Sequence, residues 1–242
     1  MSVELMTELL EAGVHYGHQT KRWNPRMRDF ILEEKNSIHI IDLSKTVDQL
    51  AKAGEFLSGI TGRGGKILFV GCKKQAQEAV KEAAQACGQF YVNQRWLGGT
   101  LTNLVTIRKS VAKLKDFEAL EKSAGFNKIN KAEASAMRRE ATRIRKNLEG
   151  VLEMEKQPDA IVIIDTVKES IAVAEALRLG IPIVAIVDSN SNPEEVNYPI
   201  AGNDDAIRSI RIILQKLVDV IVKSRGGVRA TAESGELSAV AE

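Results

Sequence analysis

The chain has 242 residues with 34 Lys and Arg against 32 Asp and Glu, a formal net charge of +2. That balance excludes a uniformly basic nucleic-acid-binding tail and an acidic disordered solvating chain. With 44% hydrophobic and 27% charged residues the composition is globular. The length suits one large domain, or one domain with an appendage, able to bury a core without disulfides or metal staples.

Cys72 and Cys87 form no Cys-x-x-Cys pair, which points to a reducing compartment. The first eleven residues carry Glu4, Glu8 and Glu11, not the basic and apolar regions of a signal peptide. The longest apolar runs, at 161–164 and 181–187, are far shorter than the ~18 residues of a membrane span. A soluble cytoplasmic chain with no membrane partner is expected. The charge is unevenly spread. Residues 1–150 hold 25 basic and 17 acidic side chains, a net of +8, and residues 151–242 hold 9 and 15, a net of −6.

In chain order, residues 3–11 place Val3, Met6, Leu9 and Leu10 at helical spacing behind Ser2 as N-cap. Residues 13–28 have no clean period and collect His, Gly, Lys, Arg, Trp and Asn, as an ordered functional loop or a mobile surface loop does. Apolar runs at 30–32 and 38–43 flank Glu33-Glu34-Lys35-Asn36 as a hairpin. Ser44 reads as the N-cap of a helix to about Ile60, with Val47, Leu50, Ala51, Phe56, Leu57 and Ile60 inward.

Short apolar strands then alternate with helices. Strands are expected at 66–71, 91–92, 159–165 and 183–187, and helices at 75–86, 169–179 and 204–223. The pattern predicts an α/β fold whose mostly parallel sheet has helices on both faces. Two further helices, 102–120 and 131–154, interrupt it. Leu104, Ile107, Val111 and Leu114 in the first, and Met137, Ala141, Ile144, Leu148 and Val151 in the second, recur every three or four residues. That spacing predicts an inserted antiparallel coiled-coil hairpin. The predicted domains are an α/β body from 1–101 and 156–225, the hairpin from 102–155, and a Gly-, Ala- and Ser-rich tail from 226–242 without regular structure.

Nucleotide-binding motifs are missing. No Gly-x-Gly-x-x-Gly follows a strand, and Gly62-Arg63-Gly64-Gly65-Lys66 has Ile60 and Ile67 where a phosphate loop needs Gly and Ser or Thr. That run reads as a helix-to-strand turn. His15 and His18 have metal-ligand spacing, which makes them zinc candidates, but His39, Cys72 and Cys87 supply no second ligand pair. Asp188 ends a strand, and Asp204 and Asp205 open a helix. They serve either as caps or as oxygen ligands for a divalent cation such as magnesium. No partnered nucleophile marks an enzyme acting on a small-molecule substrate, so no catalytic residue is assigned.

Five segments fit neither core nor enzyme: residues 13–25 (GVHYGHQTKRWNP), 38–43 (IHIIDL), 68–76 (LFVGCKKQA), 93–103 (NQRWLGGTLTN) and 202–206 (GNDDA). Together, in this order and with the helical insertion between them, they resemble the bacterial form of the small-subunit ribosomal protein uS2 family, over about residues 5–225. The resemblance implies a Rossmann-like fold with a protruding coiled-coil hairpin and a structural, non-catalytic role in the small ribosomal subunit. Its implied partners are small-subunit ribosomal RNA and other ribosomal proteins, including the largest one, which handles messenger RNA. Cys72, Ser189 and Ala201 stand where the family usually has Thr, Thr and Pro.

RNA affinity comes from Lys and Arg on phosphates and from planar groups stacking on unpaired bases. The expected contacts are Lys21, Arg22, Trp23, Asn24, Arg26 and Arg28 in the basic loop, and Lys73 and Lys74 at a strand end before a helix. Arg95, Trp96, Gly98, Gly99, Thr102 and Asn103 form a second group, with Arg108 and Lys109 near the hairpin base. Both Trp residues can instead be core anchors. The acidic half is expected to face solvent or protein. The alternatives are a Rossmann-like nucleotide-binding enzyme and a free-standing adaptor or receptor of the same fold.

Overall fold

A computed structural model describes the backbone of residues 2–123, 126 and 130–238, and the side chains of residues 3–123, 126 and 130–224. The chain opens with α1 (Ser2–Glu11), β1 (Tyr16–Gln19), two 3-10 turns (Thr20–Arg22 and Pro25–Phe30), β2 (Ile31–Lys35) and β3 (Ile38–Ile41). These strands form an antiparallel sheet in the order β1-β3-β2. The segment 13–28 thus holds a strand its sequence does not announce. Tyr16-Gly17-His18-Gln19 has no apolar alternation, and its register against β3 shifts between Tyr16 and Gln19. Glu33, Glu34 and Lys35 belong to β2 rather than to the turn, which is made by Asn36 and Ser37 at φ 53° and 61°. Two successive positive φ values match the twist that a two-residue hairpin needs.

Helix α2 (Leu43–Thr61) is capped by Asp42, whose Oδ1 accepts from the Ser44 amide at 2.9 Å. Ser44 is therefore the second residue of the helix, two positions past the N-cap, rather than the N-cap expected of it. A five-stranded parallel sheet follows, ordered β5-β4-β6-β7-β8. Its strands are β4 (Ile67–Val70), β5 (Phe90–Val92), β6 (Ala160–Ile164), β7 (Ile183–Val187) and β8 (Tyr198–Ala201). β4, β6 and β7 are buried along their whole length, which explains their unbroken apolar runs.

Alternate side chains feed two cores. Ile67, Phe69, Val162 and Ile164 pack toward α2, α3 (Gln77–Ala86) and α7 (Ile207–Ser238). Leu68, Val70, Ile161 and Ile163 pack toward α6 (Ser170–Leu179) and the base of the insertion. β8 is not foreseen from sequence because Pro199 interrupts it. As an edge strand it tolerates a missing donor. The Ala201 amide donates to Gln49 Oε1 at 2.8 Å, a bond that Pro in this position would forfeit.

The insertion consists of α4 (Leu104–Lys122) and α5 (Lys131–Leu148), followed by a 3-10 turn (Glu149–Val151). The two helices lie side by side and are joined across their seam by Lys113–Glu140 (2.8 Å), Arg138–Glu121 (2.9 Å) and Arg145–Glu118 (2.5 Å). Ile107, Val111, Leu114, Ala141 and Leu148 are buried between them or at their base. Helix α7 runs through Ser238, past the boundary at 225 where the composition predicts a tail without regular structure. Once a helix is nucleated by a packed stretch, adding a turn costs little.

Candidate functional site

Strand order reverses between β4 and β6, because β4 connects outward to β5 while β6 connects the other way through β7 to β8. In open α/β sheets such a crevice, outside the carboxyl ends of the strands, is where ligands sit. Here Lys73 follows β4, Asp165 follows β6 at φ 68°, and Asp188 follows β7. Asp204 and Asp205 lie just before α7, and His18 reaches in from β1.

The crevice is filled by the protein's own charges. Lys73 Nζ lies 2.6 Å from Asp204 Oδ1, 2.5 Å from Asp205 Oδ1 and 3.3 Å from Asp165 Oδ2. Burial works against the ammonium, but the carboxylates of Asp204 and Asp205 override it and hold its pKa above the ordinary Lys value. Asp204 is fully buried. Burial first, then the neighbouring charges of Asp188 and Asp165, push its pKa up to about 7 against the pull of Lys73. Asp205 is more open, and despite some burial Lys73 holds its pKa below the ordinary range.

His18 links this cluster to the small sheet. Its Nδ1 is 3.1 Å from Asp188 Oδ2 and its Nε2 is 3.3 Å from Asp205 Oδ2. The Asp188 carboxylate raises its pKa, with burial opposing. Its backbone amide donates to Ser189 Oγ at 2.8 Å. The close approach requires Gly17, where a Cβ would meet Ser189 Oγ at 2.8 Å and the His39 carbonyl at 3.0 Å.

Donor atoms of His18, Asp188 and Asp204 lie within 4.8 Å of one another. Asp204 Oδ2 is buried without a hydrogen-bond partner, and His18 Nδ1 is buried against Asp188 Oδ2. One imidazole and two carboxylates suit a divalent cation. The structure therefore regroups the metal candidates. His15 does not join His18: its ring lies against Tyr16 with centroids 4.0 Å apart, and burial lowers its pKa. Asp205 turns both oxygens to Lys73 and His18.

The expected RNA contacts separate into exposed and consumed groups. Lys21, Arg22 and Arg28 are exposed on the two 3-10 turns, and Lys74, Arg95, Gly98, Asn103, Arg108 and Lys109 are also exposed. Arg26 is exposed but lies 3.2 Å from Glu194. Trp23 is half-buried, with its ring 5.1 Å from that of His39. Asn24 Oδ1 accepts from the Arg26 main-chain amide, and the Asn24 main-chain N–H donates to the Ser189 carbonyl at 2.7 Å, which ties the basic loop to the end of β7.

Four of the expected contacts already have partners within the fold. Lys73 is committed to carboxylates and offers no ammonium to a phosphate. Trp96 is buried, and its Nε1 donates to Glu175 Oε1 at 3.0 Å, so its ring is a core anchor rather than a stacking platform. The hydroxyl of Thr102 and the amide of Gly99, at φ 89°, also donate to Glu175. Glu175 went unnoticed in the sequence. Its signal is an acidic residue on the apolar face of a helix, beside Ala172 and Ala176.

Residues 9–224 match the family described as Ribosomal protein S2.

Proposed function

This chain belongs to the ribosomal protein S2 family, a family of structural proteins of the small ribosomal subunit, and from that premise we propose that its basic half binds small-subunit ribosomal RNA and that it helps recruit the largest small-subunit protein, which handles messenger RNA. The observation that carries this is the exposure of Lys21, Arg22, Arg28, Lys74 and Arg95 together with Arg108 and Lys109 at the root of α4. Long cations left in water are available to phosphates, and phosphate contacts supply most RNA affinity.

The rival, a Rossmann-like nucleotide-binding enzyme, loses support because the crevice it needs is occupied by Lys73 and its carboxylates. The family's members are in general not enzymes. No helix among the described residues is long and apolar enough to cross a membrane. The seam of α4 and α5 packs as a short antiparallel coiled coil in this proposal, and the acidic half turns to protein or solvent in the cytoplasm.

Sucrose-gradient sedimentation of the tagged chain tests the role. Co-sedimentation with small subunits that survives high salt is the expected outcome. A distribution confined to the soluble pool overturns it.

A further inference from the structure

The carboxylate of Glu175 gathers the segment that leads into α4. Oε1 accepts from Trp96 Nε1 at 3.0 Å and from the Gly99 amide at 2.7 Å. Oε2 accepts from the amides of Leu101 and Thr102 and from the Thr102 hydroxyl, each at 3.0 Å. Glu175 is buried on the inner face of α6, and among the described residues no cation pairs with it. Burial alone would raise its pKa, yet the converging donors hold it below the ordinary Glu value. Main-chain amides that converge in a turn form an anion-binding concavity. In this protein the anion is a side chain from another helix.

The segment so held carries outward-facing cations. Arg95 precedes Trp96 and is exposed, while Asn103, next to Thr102, flanks the start of α4 and is exposed as well. Arg108 and Lys109 follow one turn later. An amide at position 175 would present an –NH2 to some of these same donors and leave them unpaired.

We infer that Glu175 is a positioning residue for RNA binding: its ionised carboxylate fixes the shape of residues 95–103 and so the direction in which Arg95, Asn103, Arg108 and Lys109 face the RNA. This rests on the RNA-binding role proposed above. The test adds purified protein to small-subunit particles lacking it, at a temperature where circular dichroism shows every variant folded. Glu175→Gln is expected to bind about tenfold more weakly, the effect of losing one charge-assisted contact, with faster amide exchange at Gly99, Leu101 and Thr102. Glu175→Asp, which keeps the charge one methylene further back, recovers part of the loss. Ile186→Val, a change in the core on the opposite face of the sheet from Trp96 and Leu101, lowers the unfolding temperature and binds as the parent does.

Parent-like binding by folded Glu175→Gln overturns the inference and leaves the RNA role standing. If Glu175→Gln does not fold, parent-like binding by Glu175→Asp overturns it in the same way. Failure of the parent protein itself to bind overturns the RNA role and the inference together.

Discussion

Lys73 and Glu175 are buried charges balanced in opposite ways. Lys73 has three carboxylates within 3.3 Å and a side chain only 10% exposed. Removing one partner from a buried ion cluster leaves charges uncompensated, which typically costs about 3–5 kcal/mol. Lys73→Met is therefore expected to lose several kcal/mol in urea denaturation at neutral pH. A loss within the scatter of ordinary surface changes would contradict the geometry. Glu175 is balanced by neutral donors alone, which depress its pKa on folding. A depressed carboxylate stabilises the fold above its unfolded pKa, about 4.3, and that stability disappears as pH falls below it. Glu175→Gln should lower the unfolding temperature at neutral pH and flatten its fall below about pH 4.3. Glu169 has the reverse sign, since burial raises its pKa. Its charge opposes folding once pH rises past its unfolded value, so Glu169→Gln should remove a penalty at neutral pH.

At the scale of elements, the insertion is seated at both roots. On the entering side, Gln157 Nε2 donates to the Leu101 carbonyl and Arg108 donates to the Glu155 carbonyl, each at 3.3 Å. On the returning side Tyr91 donates to Glu149 Oε2 at 3.1 Å, and Gly150 presses on β5. A Cβ at Gly150 would stand 2.2 Å from the Tyr91 carbonyl oxygen and 2.5 Å from the ring. Backbone cannot yield as a flexible side chain does, so Gly150→Ala must lift the root off the sheet. Overpacking of this kind costs about 1–3 kcal/mol, and limited proteolysis should find the root of α5 more easily cut. The Lys113–Glu140 and Arg138–Glu121 pairs contribute little by comparison, because both partners lie largely in water.

At the scale of the whole molecule, a net charge of +2 conceals +8 in residues 1–150 and −6 in residues 151–242. Crosslinks to ribosomal RNA should therefore fall mainly in the first group. A map dominated by residues 151–242 would refute the division. Arg26 already has Glu194, so the sharper mutational set is Lys21, Arg22 and Arg28. Replacing these three by Ala should reduce the slope of log affinity against log salt by about 0.7–0.9 per lost phosphate contact. An unchanged slope would show that they do not touch phosphates.

The sequence by itself determined the elements whose physics is local. Unbroken apolar runs gave β4, β6 and β7, Gly180 closes α6 with a left-handed φ of 68°, and three- and four-residue apolar spacing gave α4 and α5. It also determined the family, since five segments in register carry that resemblance. Tertiary structure decided what charge and polarity do. β1 and β8 exist because neighbouring strands supply their hydrogen bonds, not because of any pattern of their own. Lys73 and Trp96 look like RNA contacts in the sequence and are buried partners of Asp204 and Glu175 in the fold. His18, Asp188 and Asp204 stand far apart along the chain and meet at one crevice. A charged side chain's role depends on the dielectric and the partners around it, and those are set by chain segments that no local window contains.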